Sequence, residues 1–353
     1  MQLRQDPAPA VPDSLAEALS PQWLTAALGV EVRNVVPGPV VDRISTNARF
    51  TIECDEPLPA GLSTRLCVKG YFNEIGRAAR FVGEPEAYFY RDLAPAVGVR
   101  TLQPVYADVD PETRHGVVVS VDVAAHGGRF LDGTSPFTAD QAADSLGELA
   151  ALHAATWCAP HWSTASWLAP RMGRVFQSWG LPRTMSIIAS NLHGPNGSGL
   201  PRELRDADRL VDAYRAMIAG NEPGPWCVIH GDAHVGNLFV DASGRPGLLD
   251  WQLVQRGGWS IDVGYHLASA LTVKDRRSAE RDLLQHYLDR VRACGVEPPD
   301  SDSAWCSLRC GILHGLFLWS ITTQVDPAII EVLLHRLGTA AADHSALELG
   351  IPR

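Results

Sequence analysis

The stretch VIHGDAHVGNLFVDASGRPGLLDWQ, residues 228–252, decides how the rest of this chain is read. An apolar pair leads into His230-Gly231-Asp232, and four residues later comes Asn237. Two more apolar runs follow, Leu238–Val240 and Gly247–Leu249, with a turn-forming segment (241–245) between them, and Asp250 closes the second. Phosphoryl transfer from a nucleotide needs a carboxylate to take the proton of the attacking hydroxyl. It also needs hard oxygen ligands to hold Mg2+ against the phosphates. Asp232 is placed for the first task, Asn237 and Asp250 for the second. The competing reading is an ordinary hairpin flanked by unrelated polar residues, but HGDxxxxN plus an Asp ending the next strand rarely arises by chance.

With these residues in view, the segment resembles the catalytic core of the aminoglycoside phosphotransferase and choline-kinase-like superfamily, relatives of the protein kinases. In that superfamily His-Gly-Asp stands where protein kinases carry His-Arg-Asp. The likeness is strong from Val228 to Leu271 and extends more weakly from Val35 to the C-terminal helices. It implies an α+β chain with a two-lobed, protein-kinase-like fold, a small antiparallel β-sheet lobe and a larger, mainly helical lobe.

Bulk properties narrow the alternatives. With 353 residues and 46% hydrophobic content, the chain can bury a large core. A net charge of −10 and the lack of a basic run argue against a nucleic-acid partner. The seven cysteines are odd in number, sit mostly among apolar neighbours and lack paired metal-site spacing, which reads as reduced, buried thiols of a cytosolic protein. The opening, Met1 to Ser14, is polar and proline-rich, unlike a signal peptide, and the apolar run Gly311–Ile321 is too short to span a bilayer. The expectation is a cytoplasmic protein without a membrane partner.

Along the chain, Ser20 and Pro21 open a short helix that Gly29 stops. Strand-like runs follow at Val30–Val36, Ala48–Cys54 and Thr64–Lys69, then a helix from Arg77 to Leu93 interrupted around Gly83-Glu84-Pro85. Val105–Asp108 and Gly116–Val123 read as a hairpin. Ala139–Trp157 and Pro201–Ala219 show helical periodicity, and helices continue from Ile261 to the end. The expected organisation is an N-terminal helical extension (1–35), a nucleotide-binding lobe (36–123) and a C-terminal catalytic and acceptor-binding lobe (124–353), with a hinge near 120–133.

Lys69 ends the alternating run Arg65–Lys69, where the resemblance implies a lysine that reaches the nucleotide's α- and β-phosphates. Glu86 shares a helix stripe with Phe89 and Leu93, a costly place for a carboxylate unless a cation meets it. EAYFYRDLAP also resembles the family's helix that supplies that partner, and Glu84 is the fallback. By position, Ser45, Thr46 and Asn47 form the phosphate-covering loop; it lacks the glycines of GxGxxG, and an ordinary polar hairpin turn competes. Ser120 and Val121 fall in the strand expected to bind the nucleobase by its backbone, an assignment from order along the chain. His230 reads as a loop brace. His234 is a candidate to face the acceptor pocket, and no third ligand supports zinc at the pair with His230. Asp262 reads as a helix cap that, by resemblance, also holds the catalytic loop.

Trp157, Trp162, Trp167, Phe176 and Trp179 form either core or an apolar acceptor wall, and Asp300, Asp302, Asp326 and Glu331 are scattered acidic candidates. The expected activity is ATP- and Mg2+-dependent transfer to a hydroxyl of a small molecule, with GTP open as donor and the acceptor and oligomeric state unspecified. A catalytically silent nucleotide-binding regulator of the same fold is the alternative.

Overall fold

The structure, a computed structural model, describes residues 9–220 and 225–349, so the first eight residues of the polar opening lie outside it. The chain forms two compact units. One holds the residues up to Arg129 together with Asp250–Leu253; the other holds Phe130–Leu249 and the residues from Val254 onward.

The first unit is built on a five-stranded antiparallel sheet of β1 (Asn34–Asp42), β2 (Thr46–Glu53), β3 (Arg65–Gly70), β4 (Pro104–Val109) and β5 (Gly116–Val121), ordered β1-β2-β3-β5-β4. Strand alternation buries Thr46, Ala48, Phe50 and Ile52 of β2 with Leu66 and Val68 of β3, and turns Cys67 and Lys69 to the other face. The Pro21–Leu28 helix packs into the same core through Trp23 and Leu24. Ser20 accepts the Trp23 N–H at its start, and Gly29, at φ 69°, ends it. The expected strand Val30–Val36 is displaced: β1 starts at Asn34 and runs on through Pro37, Gly38 and Pro39. As an edge strand it can carry prolines, and its register slips between Pro37 and Val40.

The Arg80–Tyr88 helix packs on β5 and is not broken at Gly83-Glu84-Pro85. Gly83 serves packing, because a Cβ there would stand 2.0 Å from the Tyr71 ring. A π-helical turn, Phe89–Leu93, follows.

In the second unit the Trp259–Ala270 helix is buried at every residue, and the Ser301–Ile321 helix lies directly on it. Two glycines permit that approach. A Cβ on Gly311 would meet the Ser260 carbonyl oxygen at 2.3 Å, and one on Gly264 would meet that of Leu308 at 2.2 Å. The apolar run Gly311–Ile321 proves to be the second half of this 21-residue helix, which by length and composition could cross a membrane, contrary to expectation. However, 67% of its most apolar window is buried within the protein, as in a core helix.

All seven cysteines are free. The expected burial holds fully only for Cys227, whereas Cys158, Cys294 and Cys306 are exposed at loop or helix positions.

Candidate active site

In the first unit, Lys69 projects from the face of β3 opposite the core. Its ammonium lies 2.6 Å from Glu86 Oε2 and 2.9 Å from Asp250 Oδ1. Burial alone would push Lys69 down, but the Asp250 and Glu86 carboxylates outweigh it and hold the ammonium well above the ordinary lysine range. Burial raises Glu86 above the usual glutamate range, against the pull of Lys69. The second oxygen of Glu86 accepts the Trp251 N–H at 3.4 Å, and Trp251 stacks on Phe89 with centroids 3.6 Å apart. Glu86 therefore ties Lys69 to the segment that carries Asp250. Glu84, the fallback, pairs instead with Arg114. Asp250 has φ 63°, a left-handed conformation that Asp tolerates better than most residues and that is common at functional sites.

In the second unit, residues 230–237 form a loop between the Cys227–Ile229 and Leu238–Val240 strands, and their backbone is tied down group by group. The His230 and Gly231 N–H groups donate to Asp262 at 2.6 and 2.8 Å. The Gly231 carbonyl accepts from His314 Nε2, the Ala233 carbonyl from His266 Nδ1, and the Asp232 carbonyl from Asn237 Nδ2, each at 2.9 Å. His230 braces the loop as expected: its Nδ1 accepts the Asp232 N–H, so Nε2 carries the proton and donates to the Leu249 carbonyl. Both ring nitrogens are thus engaged, which leaves none for zinc. Gly231 is required at φ 80°.

Asp262 does not cap its helix, which begins at Trp259; it stands one turn inside, fully buried. Burial opposes its charge, yet the His153 hydrogen bond and the loop's N–H groups hold it below the usual carboxylate range.

Asp232 is the loop's half-buried carboxylate, its side chain 27% exposed. Its Oδ2 accepts from Asn237 Nδ2 at 2.9 Å and its Oδ1 from the Tyr265 hydroxyl at 3.1 Å. Both acceptors of Asn237 Nδ2 lie on Asp232, so the amide nitrogen is turned toward that residue. His234 accepts the Gly236 N–H through Nδ1, brings Nε2 to 3.8 Å from Asp232 and lies against the edge of Trp319.

Sequence reasoning missed Tyr265, His266 and His314. The available signal was a tyrosine and two histidines within otherwise apolar helical runs, since such groups need partners when buried.

The other candidates are placed as follows. The β1–β2 hairpin carries Ser45, Thr46 and Asn47. The Thr46 hydroxyl donates to Asp42 at 2.6 Å and is buried, Asn73 clamps the same turn through the Arg43 carbonyl, and Asn47 Nδ2 reaches Ser45 Oγ at 3.4 Å. Ser120 and Val121 lie within the sheet between β3 and β4, and the Val121 N–H donates to the Gln103 carbonyl, so that donor is already used.

The aromatic residues do not form one wall. Phe176 packs on Tyr214 and Phe317, Trp162 meets Trp167, and Trp179 lies exposed beneath Arg183. Asp300 and Asp326 are helix N-caps, which accounts for them structurally. Among the described residues, no group of three or more His, Cys, Asp and Glu side chains could hold a metal ion.

The sequence pattern of the Phosphotransferase enzyme family matches residues 72–296, more than half of the chain. The chain belongs to that family. Among solved structures, this family member is similar to an ethanolamine kinase of Plasmodium vivax, with 11% identity, 88% of this chain and 83% of that chain covered, and a TM-score of 0.51. A choline kinase of Streptococcus pneumoniae shares 13% identity over 94% of this chain and 100% of that one, with a TM-score of 0.49. A macrolide 2'-phosphotransferase of Brachybacterium faecium shares 15% over 94% and 97%, with a TM-score of 0.47. No curated protein matches. The likeness to the ethanolamine kinase is one of fold: a mixed architecture with a small antiparallel sheet and a larger helical part.

Proposed function

We propose that this member of the phosphotransferase family moves the γ-phosphate of ATP to a hydroxyl group of a small molecule. Asp232 takes the hydroxyl proton as the acceptor oxygen bonds to the γ-phosphorus. The bond from that phosphorus to the bridging oxygen breaks, and ADP leaves with the electron pair. Lys69 neutralises the α- and β-phosphates, and Glu86 holds it in place. Asn237 and Asp250 provide an amide oxygen and a carboxylate, a donor set that fits a hard divalent cation, and Mg2+ bound there supplies charge neutralisation on the phosphates. Ser45 and Asn47 are the proposed phosphate-loop donors. Free thiols and the use of ATP fit a cytoplasmic enzyme.

The observation that carries this reading is Asp232 itself. It is a solvent-reachable carboxylate on a loop whose backbone is fixed by Asp262, His266, His314 and Asn237. Such fixation is what a general base needs and an ordinary hairpin does not. A silent regulator is not favoured, because the base, the lysine and both ligand residues are all present.

The test is transfer of labelled γ-phosphate from ATP, with Mg2+, to a panel of amino alcohols, sugars, aminoglycosides, macrolides and hydrophobic alcohols, with GTP as competing donor. A phosphorylated product is expected from at least one class. ATP that remains intact with every acceptor and with water would refute the proposal.

A further inference from the structure

We infer that Tyr265 is a positioning residue for Asp232, and that Trp319 sets the direction of its hydrogen bond. This deepens the phosphotransferase reading and rests on it. The Trp319 indole N–H lies 2.7 Å from the Tyr265 hydroxyl oxygen, and that hydroxyl lies 3.1 Å from Asp232 Oδ1. An indole nitrogen can only donate, so the phenol oxygen accepts from Trp319 and its single proton is left for Asp232. The order Trp319 to Tyr265 to Asp232 therefore has one polarity. With Asn237 on the second carboxylate oxygen, neither oxygen of Asp232 can rotate freely. Burial and the Asp232 charge hold the phenolic proton well above the ordinary tyrosine range.

The helices are built to permit this arrangement. Tyr265 lies on the Trp259–Ala270 helix and Trp319 on the Ser301–Ile321 helix. A Cβ on Gly315 would stand 2.3 Å from Tyr265 Cδ2, so that glycine makes the slot for the ring. A tyrosine needed only for packing would do as well with phenylalanine. Here the buried hydroxyl is engaged on both sides, and one partner is the proposed base.

The test measures ATP turnover with Mg2+ and water as acceptor, alongside thermal stability, for Tyr265→Phe, Trp319→Phe, the two combined, and Tyr265→Phe added to Asp232→Ala. Tyr265→Phe should lower kcat by about 10- to 100-fold, the range for a hydrogen bond to a charged group, and leave KM for ATP unchanged. It should also lower Tm, because the Trp319 N–H loses its acceptor. Trp319→Phe should lower kcat less, since the Tyr265–Asp232 bond survives.

The combined variant removes both polar partners and should recover Tm without recovering kcat. In the Asp232→Ala background, Tyr265→Phe should change kcat no further. A Tyr265→Phe enzyme with wild-type kcat, a kcat that returns together with Tm, or additive losses in the Asp232→Ala background would each overturn the inference while leaving the phosphotransferase reading standing. A wild-type protein that consumes no ATP with water or any acceptor would overturn both.

Discussion

A carboxylate proposed as a base has to be held still, and hydrogen-bond donors around Asp232 do this. Asn237 and Tyr265 each give it a hydrogen bond, and His234 Nε2 lies 3.8 Å from its Oδ2. Asp232→Ala should therefore lower kcat by about two orders of magnitude or more, with little change in ATP affinity, measurable by steady-state kinetics beside a nucleotide titration. Full turnover by this variant would remove Asp232 from the role. Asp250 differs in kind. Its carboxylate meets Lys69 at 2.9 Å, and the backbone beneath it is left-handed, so its side chain is placed by geometry that few residues adopt. Asp250→Ala should abolish Mg2+-dependent ATP binding in calorimetry, and an unchanged Mg2+–ATP titration would contradict its assignment. Asp232, Asn237 and Asp250 could be nominated from HGDxxxxN and the Asp that ends the next strand, and the Lys69–Glu86 ion pair could be picked out because a carboxylate on an apolar helix stripe needs a cation to meet it. Tyr265 could not, since its partner is 33 positions away and a tyrosine in an apolar helix reads as core.

The elements show why some structure was legible and some was not. Ser20, Pro21 and Gly29 marked one helix by local capping chemistry, and the alternation in β2 and β3 marked strands and faces alike. Local signals failed where tertiary contacts decided. The Arg80–Tyr88 helix continues through Gly83 because the Tyr71 ring fills the space beside it, and β1 tolerates its prolines because it is an edge. The helix pair that holds the 230–237 loop depends on the same kind of hidden constraint. Gly311→Ala places a methyl 2.3 Å from the Ser260 carbonyl and 2.4 Å from that of Ile261, backbone atoms that cannot swing aside, so the helices must part. A loss of about 1–3 kcal/mol is expected in denaturant unfolding. Turnover should fall as well, because His314 and Trp319 ride on the displaced helix. Asp262→Ala should cost more, about 3–5 kcal/mol, since it strands two buried loop N–H groups and the His153 ring donor together. Unchanged unfolding curves for either variant would refute the packing and hydrogen-bond accounts respectively.

Across the whole molecule, three buried histidines work as neutral hydrogen-bonding groups, and this makes stability depend on pH in a stated direction. Burial and the nearby Arg80 push His115 down to about 4, where its Nε2 accepts the Tyr71 N–H. Burial pushes His266 down to about 4 against the opposing pull of the Ala233 carbonyl and Asp262, and it lowers His314, which faces Gly231, Asp232 and Asp262. Unfolded, each would take up a proton near 6.5. Between about 6.5 and about 4 the unfolded chain therefore binds more protons than the folded one, and stability rises with pH. The contribution is complete above about 6.5 and is lost as pH falls toward 4. Glu86, raised by burial, acts in the opposite sense, but as one group against three. Thermal unfolding should accordingly shift down by several degrees between pH 7.5 and pH 5. His115 belongs to the first unit, while His266 and His314 belong to the second. If the units melt separately, the second transition should move more, and a melting profile flat from pH 7.5 to pH 5 would show that these rings bind protons in the fold as they do in the unfolded chain, which would refute the account. His266→Gln, which keeps a side-chain donor but cannot titrate, should weaken the second transition's pH dependence to what His314 supplies and leave the first unchanged.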